Sequence, residues 1–218
     1  MDIIFDMDGV IIDSSISTAN RIKQVAEEFN MAESTVGVDL TKYIGGTALG
    51  TFRDLFPKTT SEDIIKKAAD RVIKLFWARP VEEAVPYPFI ERVLQELIIK
   101  HGSMLYIVTS RPFNATISIM HYYNFFRYFS LIFSAHEGNK SKVTEELIRY
   151  KNIDRDNCLF IGDRAIDMKA ATDNEIGPVG ALWGFGTSEE LKEAGAKFLV
   201  QKPLDLITTI FNFEEEEC

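Results

Sequence analysis

Two aspartates separated by one residue, Asp6 and Asp8, close the apolar run Ile3-Ile4-Phe5 and precede Gly9 and Val10. Carboxylates this close repel one another, so a fold that keeps both needs a metal ion, a shared proton or a cationic neighbour beside them. Later segments carry residue types that could answer that need: Thr109-Ser110 after Ile107-Val108, Asp163 and Asp167 after Gly162, and a lysine, Lys140 or Lys142. Asp6, Asp8, Asp163 and Asp167 are hard oxygen donors with little histidine nearby, a set that suits Mg²⁺, which takes few carboxylates and keeps several waters. With their charge offset, one aspartate can act as a nucleophile and form an aspartyl-phosphate. The other can serve as general acid and then general base. Thr109, the Ser110 amide, turn amides near Met7 and Gly9, and the lysine would bind the remaining phosphoryl oxygens.

Each of these residues also has a plainer reading. Asp6 and Asp8 alone could be solvated aspartates in a strand-end turn. Thr109 could be a capping hydroxyl, Lys140 a surface lysine, and Asp163 and Asp167 a turn and a helix N-cap. A carboxylate pair also suggests glycoside hydrolysis, but those pairs come from separate elements with room for sugar or water between them. The elements that must position the residues favour the phosphoryl chemistry. Ile3-Ile4-Phe5 reads as a short buried strand. Further strands are predicted at 105–108, 131–133, 159–161, 179–182 and 198–200. Helices are predicted at 89–101 (closed by Gly102), 114–123, 142–151, 165–172, 189–194 and from 204 onward. Alternating strands and helices imply a parallel sheet with right-handed crossovers, in which ligands bind beyond the carboxyl ends of the strands. Asp6, Thr109, Ser110 and Asp163 all fall at such ends.

Between the first strand and the rest the pattern changes. Ser14 and Ser15 can cap a helix whose apolar residues Ala19, Ile22, Ala26 and Phe29 recur at spacings of three and four. A break at 37–46, a short helix at 49–56 and a helix capped by Thr60 and Ser61, with Ile65, Ala68, Val72 and Leu75 on one face, complete the block. No strand is predicted within it, and Val85-Pro86-Tyr87-Pro88 forms a stiff junction at its end. The expected organisation is an α/β core at 1–13 and 86–218, with an all-helical insert at 14–85. Gly45, Gly46 and Arg53 in the insert are candidates for substrate contact.

A net charge of −9 argues against a nucleic-acid surface, and no apolar run approaches membrane-spanning length. Cys158 and Cys218 form no disulfide or metal-ligand pattern, and the first strand follows Met1 and Asp2 directly. A reduced, cytoplasmic setting is expected, with the chain a monomer or a homodimer. His101, His121 and His136 read as structural or surface residues.

Asp6-Met7-Asp8-Gly9-Val10, Ile107-Val108-Thr109-Ser110, Lys140 and Gly162-Asp163-Arg164-Ala165-Ile166-Asp167 resemble, in order and spacing, the four motifs of the haloacid dehalogenase superfamily. With Trp183-Gly184-Phe185-Gly186, Glu189-Glu190-Leu191, Ala194-Gly195-Ala196 and Lys202-Pro203, the resemblance covers nearly the whole chain and is strongest to the phosphoglycolate-phosphatase-type subfamily. It implies a Rossmann-like sheet with the first strand central and the insert as a small mobile cap. It implies Asp6 as nucleophile, Asp8 as acid/base with its backbone carbonyl on the metal, and Thr109 and Lys140 on the phosphate. Asp163 would be a ligand of Mg²⁺, with Asp167 supporting the metal shell or the lysine. The substrate it implies is a small phosphorylated metabolite. Asp8 argues against a dehalogenase, which lacks that acid/base. Val10 stands where many of the phosphatases have threonine and where β-phosphoglucomutases also have valine. Arg164 stands where serine is frequent, and Lys140 lacks a following proline. The alternatives are a phosphoglucomutase-like transferase and a non-catalytic binding or regulatory module.

Overall fold

The computed structural model describes residues 1–82, 84–135 and 139–216, with the backbone alone at 212 and 214–216. His136 and Cys218 lie outside the described residues. A six-stranded parallel sheet is ordered β5-β4-β1-β6-β7-β8. Its strands are β1 (Asp2–Phe5), β4 (Met104–Thr109), β5 (Leu131–Ser134), β6 (Cys158–Gly162), β7 (Gly177–Ala181) and β8 (Phe198–Val200). β1 is interior, with Phe5 level with Ile107 on one side and Ile161 on the other. The residues just past these positions therefore emerge together at one sheet edge.

Alternation along the strands sends side chains to opposite faces. Ile3 and Phe5 pack with Ile107 and Ile161 against α4 (Ile90–His101), α5 (Phe113–Tyr122) and α9 (Asp205–Glu216). Ile4 packs with Tyr106 and Phe160 against α6 (Lys140–Lys151) and α7 (Ala165–Asp173) on the other face. Each fully buried Ile or Phe here contributes roughly 1.5–3 kcal/mol. The remaining core helix, α8 (Ser188–Glu193), is capped by Thr187. α4 ends at Gly102 in a left-handed conformation, as its sequence predicts. α9 continues into an acidic stretch that ends at Glu216 among the described residues.

The chain leaves the sheet edge through β2 (Ile12–Asp13) and returns through β3 (Val85–Pro86), which pair antiparallel. Neither strand is visible in the sequence, because each is two residues long and depends on a partner more than seventy positions away. Between them lie α1 (Ser15–Glu28), two 3₁₀ turns (Ala32–Thr35 and Leu40–Tyr43), α2 (Ala48–Leu55) and α3 (Glu62–Ala78). They share a hydrophobic cluster of their own, including Ile22, Val25, Phe52, Phe56, Ile65 and Val72. The cap of α1 differs from expectation: Ser14 makes no side-chain cap bond, and the Ser15 amide instead donates to Asp13 Oδ1 at 2.9 Å. Among the described residues, no helix is long and apolar enough to cross a membrane.

Candidate active site

The Asp6 amide extends the sheet ladder by donating to the Ile161 carbonyl at 2.9 Å, which fixes Asp6 at the mouth of β1. Its carboxylate is buried, and Lys140 Nζ lies 2.9 Å from Oδ1 as an ion pair. Asp6 Oδ1 accepts no hydrogen bond from any other group. The same ammonium donates to Asp167 Oδ1 at 2.6 Å. Lys140 is only 1% exposed and opens α6 beneath the Asn139 cap. Lys142 is exposed. The structure thus brings Lys140, not Lys142, to the aspartates.

Asp163 emerges from β6 and is fully buried. Its Oδ2 accepts from the Phe185 amide at 2.8 Å, while its Oδ1 has no partner. Asp167, one turn into α7, uses Oδ2 to accept the amides of Asp163 (3.1 Å) and Arg164 (3.0 Å). Both of its oxygens are therefore engaged, and it orients the Asp163 turn and Lys140 together. One carboxylate oxygen each of Asp6, Asp163 and Asp167 lie within 4.8 Å of one another.

Asp8 is held apart from this group by Arg111, a residue that the sequence does not single out. Arg111 donates to it twice, Nε to Oδ2 at 2.9 Å and Nη2 to Oδ1 at 2.5 Å. Arg111 directly follows Thr109-Ser110, so its one signal in the sequence is a cation at a strand end. Thr109 is buried, and its hydroxyl oxygen accepts the Arg111 amide at 3.1 Å. Ser110 lines the same cleft.

The sequence suggests that Gly9 offers an amide to phosphate, but that amide donates to the Ile12 carbonyl at 2.9 Å and is committed within the turn. What Gly9 supplies is space. It has φ +87°, and a Cβ there would run into the Asp163 carboxylate. Gly184 packs against Asp163 and the Gly9 carbonyl in the same way, and Trp183 Nε1 donates to the Val10 carbonyl at 3.1 Å. Through those contacts the Trp183-Gly184-Phe185-Gly186 segment braces the aspartate turns.

The electrostatics follow from burial. Burial pushes the Asp6 carboxyl up to about 7, reinforced by Asp167 and Asp8 and opposed by Lys140. Asp163 is raised well above the carboxylate range, first by burial and then by Asp167 and Asp6. Burial would raise Asp8 too, but the charge and hydrogen bonds of Arg111 outweigh it and hold Asp8 below its ordinary value. Burial would lower Lys140, yet Asp167 and Asp6 keep it firmly protonated. Four carboxylates thus share two cations, and without a further positive charge burial drives Asp6 and Asp163 toward their protonated forms. That balance, the Oδ1 atom of Asp163 that has no partner, the Oδ1 atom of Asp6 that faces Lys140 alone, and an all-oxygen donor set fit a divalent cation such as Mg²⁺.

Above the aspartates a cleft of about 220 Å³ separates the sheet edge from the helical insert. Gly45 and Gly46 line it; Arg53 does not. Arg53 instead donates to Glu62 at the protein surface (Nη2 to Oε2, 2.9 Å), so the structure does not place it at the site. Arg164 bridges the two sides of the cleft. Its Nε donates to Glu190 Oε1 at 2.9 Å and its Nη1 donates to the Ile44 carbonyl at 2.5 Å.

The model of the haloacid dehalogenase-like hydrolase family matches residues 3–181. A phosphoglycolate phosphatase from Aquifex aeolicus is 27% identical over 214 residues, covering 96% of each chain. A 5'-nucleotidase from Pseudomonas aeruginosa is 25% identical over 204 residues, 88% of this chain and 86% of that protein. The crystal structure of a "predicted phosphatase" from Clostridium acetobutylicum superposes with a TM-score of 0.87 at 27% identity, covering 97% of this chain and 98% of that one. The family match spans every strand of the sheet except β8 and includes all four motifs, so the chain belongs to the haloacid dehalogenase-like hydrolase family.

Proposed function

We propose that the protein is a Mg²⁺-dependent, cytoplasmic phosphatase that hydrolyses a small phosphate monoester through an aspartyl-phosphate on Asp6. The observation that carries the proposal is the buried set of Asp6, Lys140, Asp167 and Asp163 beneath a cleft, with Asp163 Oδ1 lacking a partner and Asp6 Oδ1 facing Lys140 alone. Asp6, Asp163 and the Asp8 backbone carbonyl would hold Mg²⁺, which when bound supplies positive charge to the carboxylates and the phosphoryl oxygens.

Asp6 attacks phosphorus and the bond to the ester oxygen breaks. That oxygen takes a proton from Asp8 and leaves as the alcohol. Asp8, now ionised, accepts a proton from water as the water attacks the aspartyl-phosphate. The bond between phosphorus and Asp6 breaks, releasing phosphate and restoring both carboxyls to their starting states. Lys140 keeps Asp6 ionised and balances charge on the phosphoryl group. The Thr109 hydroxyl donates to a phosphoryl oxygen. Arg111 favours ionised Asp8, the form that activates water, so Asp8 must loosen from Arg111 to carry its proton in the first half. The insert acts as a cap that keeps other water out.

The two relatives are named for different esters, so their names do not choose a substrate. A mutase would need a second phosphate site on the insert, and the insert residues lining the cleft include no cation among those described. The test is hydrolysis of 4-nitrophenyl phosphate with and without Mg²⁺. Asp6→Asn is expected to reduce the rate to background while the protein still melts cooperatively. Retention of Mg²⁺-dependent turnover in that variant would remove Asp6 as nucleophile.

A further inference from the structure

We infer that the ester hydrolysed here carries an uncharged, partly apolar leaving group; this rests on the phosphatase reading above and concerns what lies beyond the ester oxygen. The insert side of the cleft is lined by Thr18, Ile22, Ile44, Thr51, Ile73 and Phe76, with small or aromatic neighbours and no charged side chain among the described residues. Cations of the insert are directed elsewhere. Arg21, 4.6 Å from the Phe76 ring centroid but not itself lining the cleft, donates to the carbonyls of Arg79 and Glu82, Lys42 pairs with Asp54 at 3.5 Å, and Arg53 pairs with Glu62 at 2.9 Å.

On the sheet side, the charge of Lys140 is held between Asp6 and Asp167, and that of Arg111 is matched by Asp8. Arg111 keeps one unused donor, the buried Nη1, which has no acceptor although Arg111 lines the cleft. It can donate to a substrate oxygen close to the ester bond. Arg111 also lies 5.1 Å from the Phe76 ring centroid, which joins this donor to the apolar wall.

Beyond the reach of Arg111, a leaving group ending in a carboxylate or a second phosphate would give up water and meet hydroxyls, aliphatic side chains and the rings of Tyr43 and Phe76. Burying an unpaired anion against such groups is strongly unfavourable, whereas a hydroxylated or aromatic alcohol loses little. A volume of about 220 Å³ accommodates an alcohol of a few carbons or a single ring.

Matched esters that differ only in the distal charge test the inference: 2-hydroxyethyl phosphate against 2-phosphoglycolate, and benzyl phosphate against 4-carboxybenzyl phosphate. The neutral member of each pair is expected to have a kcat/KM higher by on the order of tenfold or more. Ala48→Lys, which puts a cation on the half-buried cleft wall, is expected to narrow or reverse both ratios. Ile73→Lys serves the same purpose from α3 if the first variant folds poorly. Calorimetric titration of the same esters into Asp6→Asn with Mg²⁺ reads the preference without turnover. If the wild type hydrolyses none of these esters, the phosphatase reading fails, while the binding order still decides the leaving-group inference. Equal or better use or binding of the anionic members, no binding of either member, or ratios unmoved by both lysine variants would overturn it.

Discussion

The sheet edge beneath the cleft gathers Asp6, Asp8, Asp163 and Asp167 with Lys140 and Arg111, while the helical wall facing it presents no charge among its described residues. The first surface is over-determined. Asp163 is held by the Phe185 amide, and Asp167 engages Lys140 and two backbone amides. The second surface is soft, built of threonines, aliphatic residues, two glycines and the rings of Tyr43 and Phe76, on an insert with its own hydrophobic cluster. Chemistry at low dielectric needs fixed charges, and the first surface supplies them. Choice among esters needs only shape and the absence of a counter-charge, and a helical layer can change those without disturbing the sheet.

Removing charge from the first surface should produce the largest effects. Lys140→Met leaves buried Asp6 and Asp167 without their cation and is expected to cost about 3–5 kcal/mol, read from the urea midpoint, along with essentially all turnover. Adding Asp167→Asn should recover part of the stability, because it removes one of the two uncompensated charges. A double variant no more stable than Lys140→Met would mean that the packing of the lysine stem, not its charge, supports the site. Arg111→Met comes next, at about 2–3 kcal/mol.

The Arg111 effect should depend on pH. Asp8 is held below its ordinary value when folded, so its ionised form adds stability above the unfolded carboxylate value of about 4. That contribution is lost as pH falls through the folded value. The difference in urea midpoint between wild type and Arg111→Met should therefore be widest near neutrality and close in acid. A difference that does not vary with pH would assign the loss to the stacking of Arg111 on Phe76.

The two surfaces are unequally legible in the sequence. Asp6, Thr109 and Asp163 can be placed because short apolar runs mark strands and polar residues mark their ends. Parallel alternation then puts those ends on one edge. The choice of Lys140 over Lys142 is also encoded, though in the sequence it rests on motif spacing. Lys140 is in phase with Thr144, Leu147 and Ile148, the buried stripe of α6, and Lys142 is not. Arg111 cannot be assigned from sequence, because its partner lies 103 positions away and an arginine after a strand reads equally as a surface residue. The insert is legible as helices but not as a surface. Periodicity distinguishes a core face from an outer face, but it does not show which outer residues a second layer will meet. That is why Gly45 and Gly46 reach the cleft and Arg53 does not.

Metal addition tests the charge balance of the first surface directly. Mg²⁺ at about a hundred times its dissociation constant should stabilise the protein by about 2.7 kcal/mol, seen as a rise in melting temperature. Asp163→Asn should abolish that rise, because it removes the carboxylate whose Oδ1 lacks a partner. An undiminished rise in the variant would move the cation away from Asp163.

The smallest effect is expected on the second surface. Arg53 and Glu62 form an exposed pair on the insert, and exposed pairs are screened by water and salt. Arg53→Ala should leave both kcat/KM and the melting temperature close to wild type. Fixed charge on this side of the molecule lies outside the cleft, so its loss does not reach the ester. A fall in kcat/KM with an unchanged melting temperature would mean that the insert brings Arg53 over the cleft during turnover. It would place a cation on a wall whose described residues carry none. The contrast between the two surfaces would then hold only for the present arrangement of the helices, and the preference for a neutral leaving group would lose its basis.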